Sequence, residues 1–151
     1  MSDVDEHSIG MYLTMIERDH NYYMNKFLKK YNLGKHDIRV LKEVNAHNDI
    51  SQNEICEILK EDKITVSKSV KNLVALGYVE RKKDSEDKRI TRLSMTEKGK
   101  KDRSEIMSIM KNTNDVFSRR MNGEDVEKVL ALLKCMSDNM HKEVLRIRDE
   151  N

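Results

Sequence analysis

The stretch DKITVSKSVKNLVALGYVERKKDSEDKRITRLSMTEKG, residues 62–99, decides the fold of this chain. Its first half has a helical period: Val66, Val70, Leu73 and Val74 fall at i, i+4, i+7 and i+8, a one-sided apolar stripe. Asp62 is placed to cap that helix and Gly77 to close it after Leu76. The opposite face carries Ile64, Thr65, Lys68, Lys71, Asn72 and Ala75, with no acid among them. From Tyr78 the period changes to two. Residues 78–82 read as one strand, and Thr91, Leu93 and Met95, alternating with Arg92 and Ser94, read as a second. The charged run 83–89 turns between them.

Upstream, Ser51 and Glu54 are spaced as a capping box that opens a short helix bearing Ile55, Ile58 and Leu59. Two short helices, the second with a sharply one-sided stripe, make a helix-turn-helix; a hairpin with a basic tip directly after it makes the motif winged. That order of elements is more specific than either half alone. Further out, Ile9, Tyr12, Leu13, Ile16, Tyr23 and Phe27 predict a helix over 9–28, and Ile38, Leu41 and Val44 another over 36–46. Gly34 is suited to the left-handed exit from the first, and His47-Asn48-Asp49 is a polar break after the second. Thr96 caps a helix expected over 97–119, with Ile106, Ile109, Met110, Thr113 and Phe117 on one side. A last helix, expected over 124–148, carries Val126, Val129, Leu130, Leu133, Met136, Met140, Val144 and Ile147. So long a stripe at the end of a small domain needs a partner to cover it. A second copy of the chain, helped by the first helix, is the economical choice, because two-fold homodimers dominate soluble oligomers.

Composition excludes several classes. Among 151 residues there is no Pro and only five Gly, so long helices are favoured and a linker-rich or low-complexity chain is not. Apolar runs reach four or five residues, far short of the ~20 of a membrane span, and the acidic start, residues 1–6, is no targeting peptide. A cytoplasmic protein is expected. Cys56 and Cys135 form no CxxC pair and read as small apolar fillers. Histidines 7, 20, 36, 47 and 141 are scattered without metal-ligand spacing, and neither a Gly-rich phosphate loop nor GxSxG is present. No metal, no cofactor and no catalysis are expected. Net charge is only +2, yet residues 60–103 hold 14 Lys+Arg against 8 Asp+Glu. A basic middle between acidic ends suggests one surface built for a polyanion.

The residues Gly77-Tyr78-Val79-Glu80-Arg81, Asp87-Lys88-Arg89 and Met95-Thr96-Glu97-Lys98-Gly99 resemble the wing signature of the MarR (multiple antibiotic resistance regulator) family. That pattern is a Gly-Leu-Val-x-Arg strand, an Asp-x-Arg wing and a Leu-Thr-x-x-Gly helix start. Tyr78 and Met95 replace its leucines, and Asp84-Ser85-Glu86 stands where a Pro is common. The order of elements matches over nearly the whole chain. The resemblance implies a mainly α fold with a small β wing: a winged helix-turn-helix lobe at 34–95, the start of a connecting helix at 96–103, and long dimerisation helices within 1–33 and 104–151. It further implies a homodimeric regulator that binds pseudo-palindromic double-stranded DNA, commonly a repressor released by a small anionic or phenolic ligand.

Carried over position by position, Arg89 is the wing arginine for the minor groove, beside Lys88, and Asp87 is the acid that orients it. Thr65, Ser67, Lys68, Lys71 and Asn72 fall on the recognition helix. Ser51 and Gln52 open the supporting helix against phosphate. The chemistry agrees: lysines pair with phosphate or guanine edges, Thr65 offers a methyl or hydroxyl to a base, and an arginine on a hairpin tip suits the narrow groove of A·T-rich DNA. For an aromatic or anionic effector, Tyr12, Arg18, Tyr22, His36 and Arg39 are the candidates by chemistry and rough location. The alternative function is a winged helix that docks an acidic protein without operator specificity; a ligand carrier or enzyme using the dimer pocket is a more distant rival.

Overall fold

The computed structural model describes residues 8–150; the acidic start, expected above to carry no targeting signal, lies outside them. The chain runs through α1 (Ile9–Leu28), a 3-10 turn (Lys29–Tyr31), α2 (Lys35–Ala46), β1 (Ile50–Ser51), α3 (Gln52–Leu59), α4 (Lys63–Ala75), β2 (Val79–Lys83), β3 (Thr91–Met95), α5 (Glu97–Phe117) and α6 (Gly123–Asp149). Its contacts divide it into two compact units, one reaching to Thr113 and one beginning at Asn114. No helix among the described residues is long and apolar enough to cross a membrane.

In the first unit α2, α3 and α4 enclose a core that the sheet closes from one side. Leu28, Ile38, Leu41, Ile55, Val66, Val70, Leu73, Leu93 and Ile106 are fully buried there. Each such side chain contributes about 1.5–3 kcal/mol by leaving water, before the entropy of ordering it is set against the gain. The three strands are antiparallel in the order β1-β3-β2. Along β3, Leu93 and Met95 turn inward while Arg92 and Ser94 face the other way, as the period of two predicts. A two-stranded hairpin was expected. The extra strand, β1, is two residues long, too short to show a period, and pairs Ile50 with Leu93 and Ser51 with Arg92.

Local chemistry sets the boundaries. The Ser51 hydroxyl accepts from the Glu54 amide at 3.3 Å while the Glu54 carboxylate accepts from the Ser51 amide at 2.8 Å, the predicted capping box. Gly77 closes α4 with φ 76°, a conformation that favours glycine. The Thr96 hydroxyl accepts from the Gly99 amide at 3.0 Å to start α5. At Gly99 an added Cβ would lie 2.3 Å from the Tyr78 carbonyl oxygen, so α5 crosses the β2 entrance at a distance only glycine allows.

One expectation is corrected. Gly34 is not the left-handed exit: its φ is −97°, and it caps α2 by donating its amide to Asp37 Oδ2 at 2.8 Å. Asn32, φ 56°, takes the left-handed position, which its short polar side chain tolerates. In α1 the buried residues are Met24 and Leu28, whereas Ile9, Tyr12, Leu13, Ile16 and Phe27 are exposed. On α3 Ile55 is buried but Ile58 is exposed. In α5 the cluster Ile106, Ile109 and Thr113 is buried, and Phe117 is exposed.

The second unit is dominated by α6. Asn122 caps it, accepting from the Asp125 amide at 2.9 Å, and Arg146 and Arg148 suit the negative end of its dipole. No residue of α6 is buried. Cys135, read as an apolar filler, is exposed on it, while Cys56 is half-buried against the first unit's core and burial raises its thiol pKa.

Candidate nucleic-acid interface

Helix α4 is built to present one side outward. Val66, Val70, Leu73 and Ser69 are buried, so their opposite numbers Ile64, Lys68, Lys71 and Ala75 are exposed. Ser67 is exposed at the edge of that face. Thr65 and Asn72 lie on the flank, half-buried, and each has a partner within the lobe. The Thr65 hydroxyl donates to Asp62 Oδ2 and its amide to Asp62 Oδ1, each at 2.8 Å, which holds the Asp62 carboxyl below its ordinary pKa. Asn72 Nδ2 donates to Asp37 Oδ2 at 2.8 Å, tying α4 to the start of α2. Its place among the outward groups is therefore corrected: a 100° step per residue puts it at the border of the face, where a buried carboxylate claims it.

At the head of α3, Ser51 and Gln52 are half-buried. The Ser51 amide is taken by Glu54, whose carboxyl the two Ser51 bonds hold below its usual range. By helix geometry the next two amides, of Gln52 and Asn53, point out of the same end and suit an anion.

The wing is ordered by two aspartates. Asp84 Oδ1 accepts from the Glu86 amide at 2.8 Å and the Asp87 amide at 3.0 Å, and its Oδ2 accepts from Arg92 Nε at 2.7 Å. Its side chain is 15% exposed. The Asp87 amide first, then Arg92 and the Glu86 amide, lower its pKa to about 2. Arg92 also donates from Nη1 to Glu54 at 2.9 Å, so one guanidinium joins the wing root to the head of α3. Neither Asp84 nor Arg92 stood out in sequence. An aspartate two and three residues ahead of the amides it accepts is a turn signature that could have found the first; the second depends on Ser51 pairing with Arg92 across the sheet.

At the tip, Asp87 Oδ1 and Oδ2 receive Arg89 Nε and Nη2, both at 3.0 Å, and the Arg89 amide adds a third bond. These bonds lower the Asp87 pKa. The Arg89 side chain is nonetheless 91% exposed, and Lys88 beside it is exposed too. A guanidinium held in plane yet facing outward has lost much of its rotamer freedom before it meets a partner.

Of the five effector candidates, two share a partner. His36 and Arg39 converge on Glu61: Arg39 Nη1 pairs with its carboxylate, Arg39 Nη2 donates to the Leu59 carbonyl at 3.2 Å, and His36 Nδ1 lies 3.6 Å from the same carboxylate. On α1, Arg18 pairs with its neighbour Asp19 and Tyr22 is 77% exposed. Tyr12 is exposed six residues before Arg18, about a third of a turn out of phase with it. Among the described residues no His/Cys/Asp/Glu cluster could hold a metal ion.

Residues 33–99 match the family model described as a winged helix DNA-binding domain. Over 129 residues the chain is 26% identical to the uncharacterized HTH-type transcriptional regulator YybA of Bacillus subtilis (strain 168), covering 85% of this chain and 86% of that one. Its structure is similar to that of a MarR transcriptional regulator from Methanosarcina mazei Go1, with TM-score 0.76 and 27% identity over 89% of this chain and 96% of the other. It also shares its fold, at TM-score 0.81 and 21% identity over 88% and 98% of the two chains, with S. aureus MepR in a DNA complex.

Proposed function

We propose that the chain, a winged-helix DNA-binding transcriptional regulator of the MarR type, binds a pseudo-palindromic operator as a cytoplasmic homodimer and acts as a repressor that a small aromatic or anionic ligand releases. The observation that carries the proposal is a pair on one lobe: the exposed cationic side of α4, and a wing arginine preset by Asp87. In this mechanism α4 enters the major groove, with Lys68 and Lys71 on phosphate or guanine edges. Arg89 enters the minor groove, where A·T-rich sequence narrows the walls and concentrates negative potential. The amides heading α3 take a phosphate. Neither a protein-docking module nor an enzyme gives the preset arginine and the acid-free helix face a common purpose.

The exposed apolar residues of α1 and of α6 are what a second copy covers, placing two α4 helices in successive major grooves ~34–36 Å apart. Ligand release then needs only a ligand that binds better to a dimer of different spacing. His36 and Arg39 support the anionic class of ligand, whose carboxylate would take the place of Glu61 on Arg39. Selection of a randomised duplex pool with the purified chain at ~150 mM salt tests the proposal. Enrichment of an inverted repeat supports it; a folded dimer that enriches nothing speaks for the protein-docking alternative.

A further inference from the structure

Ile64 sits oddly on the outward side of α4. It is a β-branched aliphatic residue, 82% exposed, flanked by the exposed Lys63 and Lys68. With Lys68, Lys71 and Ala75 it follows i, i+4, i+7 and i+11, directly opposite the buried Val66, Val70 and Leu73. It is the second residue of the helix, and the first turn of a recognition helix reaches deepest toward base edges. Two polar side chains on its flank already have partners: Asp62 takes both the amide and the hydroxyl of Thr65, and Asp37 takes Asn72. The first turn of α4 therefore presents a hydrocarbon between Lys63 and Lys68, with the capping Asp62 carboxylate held by Thr65. A partner for such a turn must be anionic in outline and apolar at one spot. The major groove has one apolar feature, the 5-methyl group of thymine.

We propose that Ile64 reads a thymine methyl at one position in each half-site. The assignment rests on the operator reading above and adds to it a base preference made by contact with the methyl rather than by hydrogen bonding. It needs no change of fold, since the exposed side chain supports nothing in the core.

The test uses operators recovered from the randomised pool, resynthesised with each thymine replaced in turn by deoxyuridine, which removes only the methyl. At fixed salt, one replacement per half-site weakens wild-type binding about fourfold, the cost of one buried methyl-sized group. Ile64→Ala binds the parent operator more weakly and is indifferent to that replacement, while Ile64→Val keeps most of the sensitivity. Unchanged thermal unfolding of both variants excludes a folding defect. A wild type indifferent to every replacement, or an Ile64→Ala protein that keeps the full loss, overturns the assignment while operator binding stands. A pool that enriches no sequence overturns both.

Discussion

The winged lobe and α6 are both well capped, yet they treat their apolar side chains in opposite ways. Between α2 and β3 the stripes of α2, α3 and α4 converge, and Leu41, Ile55, Leu73 and Leu93 lose all contact with water. In α6, 27 residues long, the stripe is as regular and not one residue is buried. The same helical period thus has two outcomes. Where short helices turn back on one another the chain supplies its own cover; a single long helix exposes a row such as Leu130, Leu133 and Met140. The lobe's stability should belong to one chain, and that of α6 to an assembly.

The largest effect that could break this contrast is in the core. Leu73→Ala should cost about 2–5 kcal/mol in urea unfolding, through lost transfer energy and the cavity left behind, at every protein concentration. In α6, Leu133→Lys should halve the mass seen in sedimentation while leaving the lobe's hydrogen-exchange protection intact; an unchanged mass would break the account of the stripe. Next in size is the cap. Asp62→Ala removes both bonds to Thr65 and should cost about 1 kcal/mol, read as a lower unfolding midpoint.

The wing sharpens the contrast through pH. Because the folded-state pKa of Asp84 is lowered from 3.8 to about 2, its contribution is complete above about pH 4 and is lost as pH falls through 2. Protection of the Glu86 and Asp87 amides should fall over that range, and Asp84→Asn should abolish the dependence. The smallest stability effect is at Arg89. Arg89→Ala should leave unfolding unchanged within about 0.5 kcal/mol, since the side chain is solvent-exposed, while weakening binding to A·T-flanked duplexes.

Most of the lobe was legible because its signals are local. Ser51 with Glu54, Asp62 ahead of α4, Gly77 and Thr96 each act within three or four residues, which is the range over which spacing can be read directly. What escaped was set by contacts distant in sequence. The β1 strand exists because Ile50 meets Leu93; Arg92 matters because the same pairing brings Glu54 beside it. Asn72 was grouped with the outward face because its partner, Asp37, lies 35 residues away. The effector candidates share that difficulty, since chemistry alone does not say which of them meet; His36 and Arg39 converge on Glu61, more than twenty residues further along the chain.

In the proposed complex two copies place α4 in major grooves and Arg89 in the flanking minor grooves. Methylation interference on the selected operator tests it, because guanine N7 reports the major groove and adenine N3 the minor. Such a complex gives two N7 patches about one helical turn apart, ~10 base pairs, flanked by N3 interference that disappears in Arg89→Ala. A single N7 patch, or N3 interference that survives in Arg89→Ala, would contradict it.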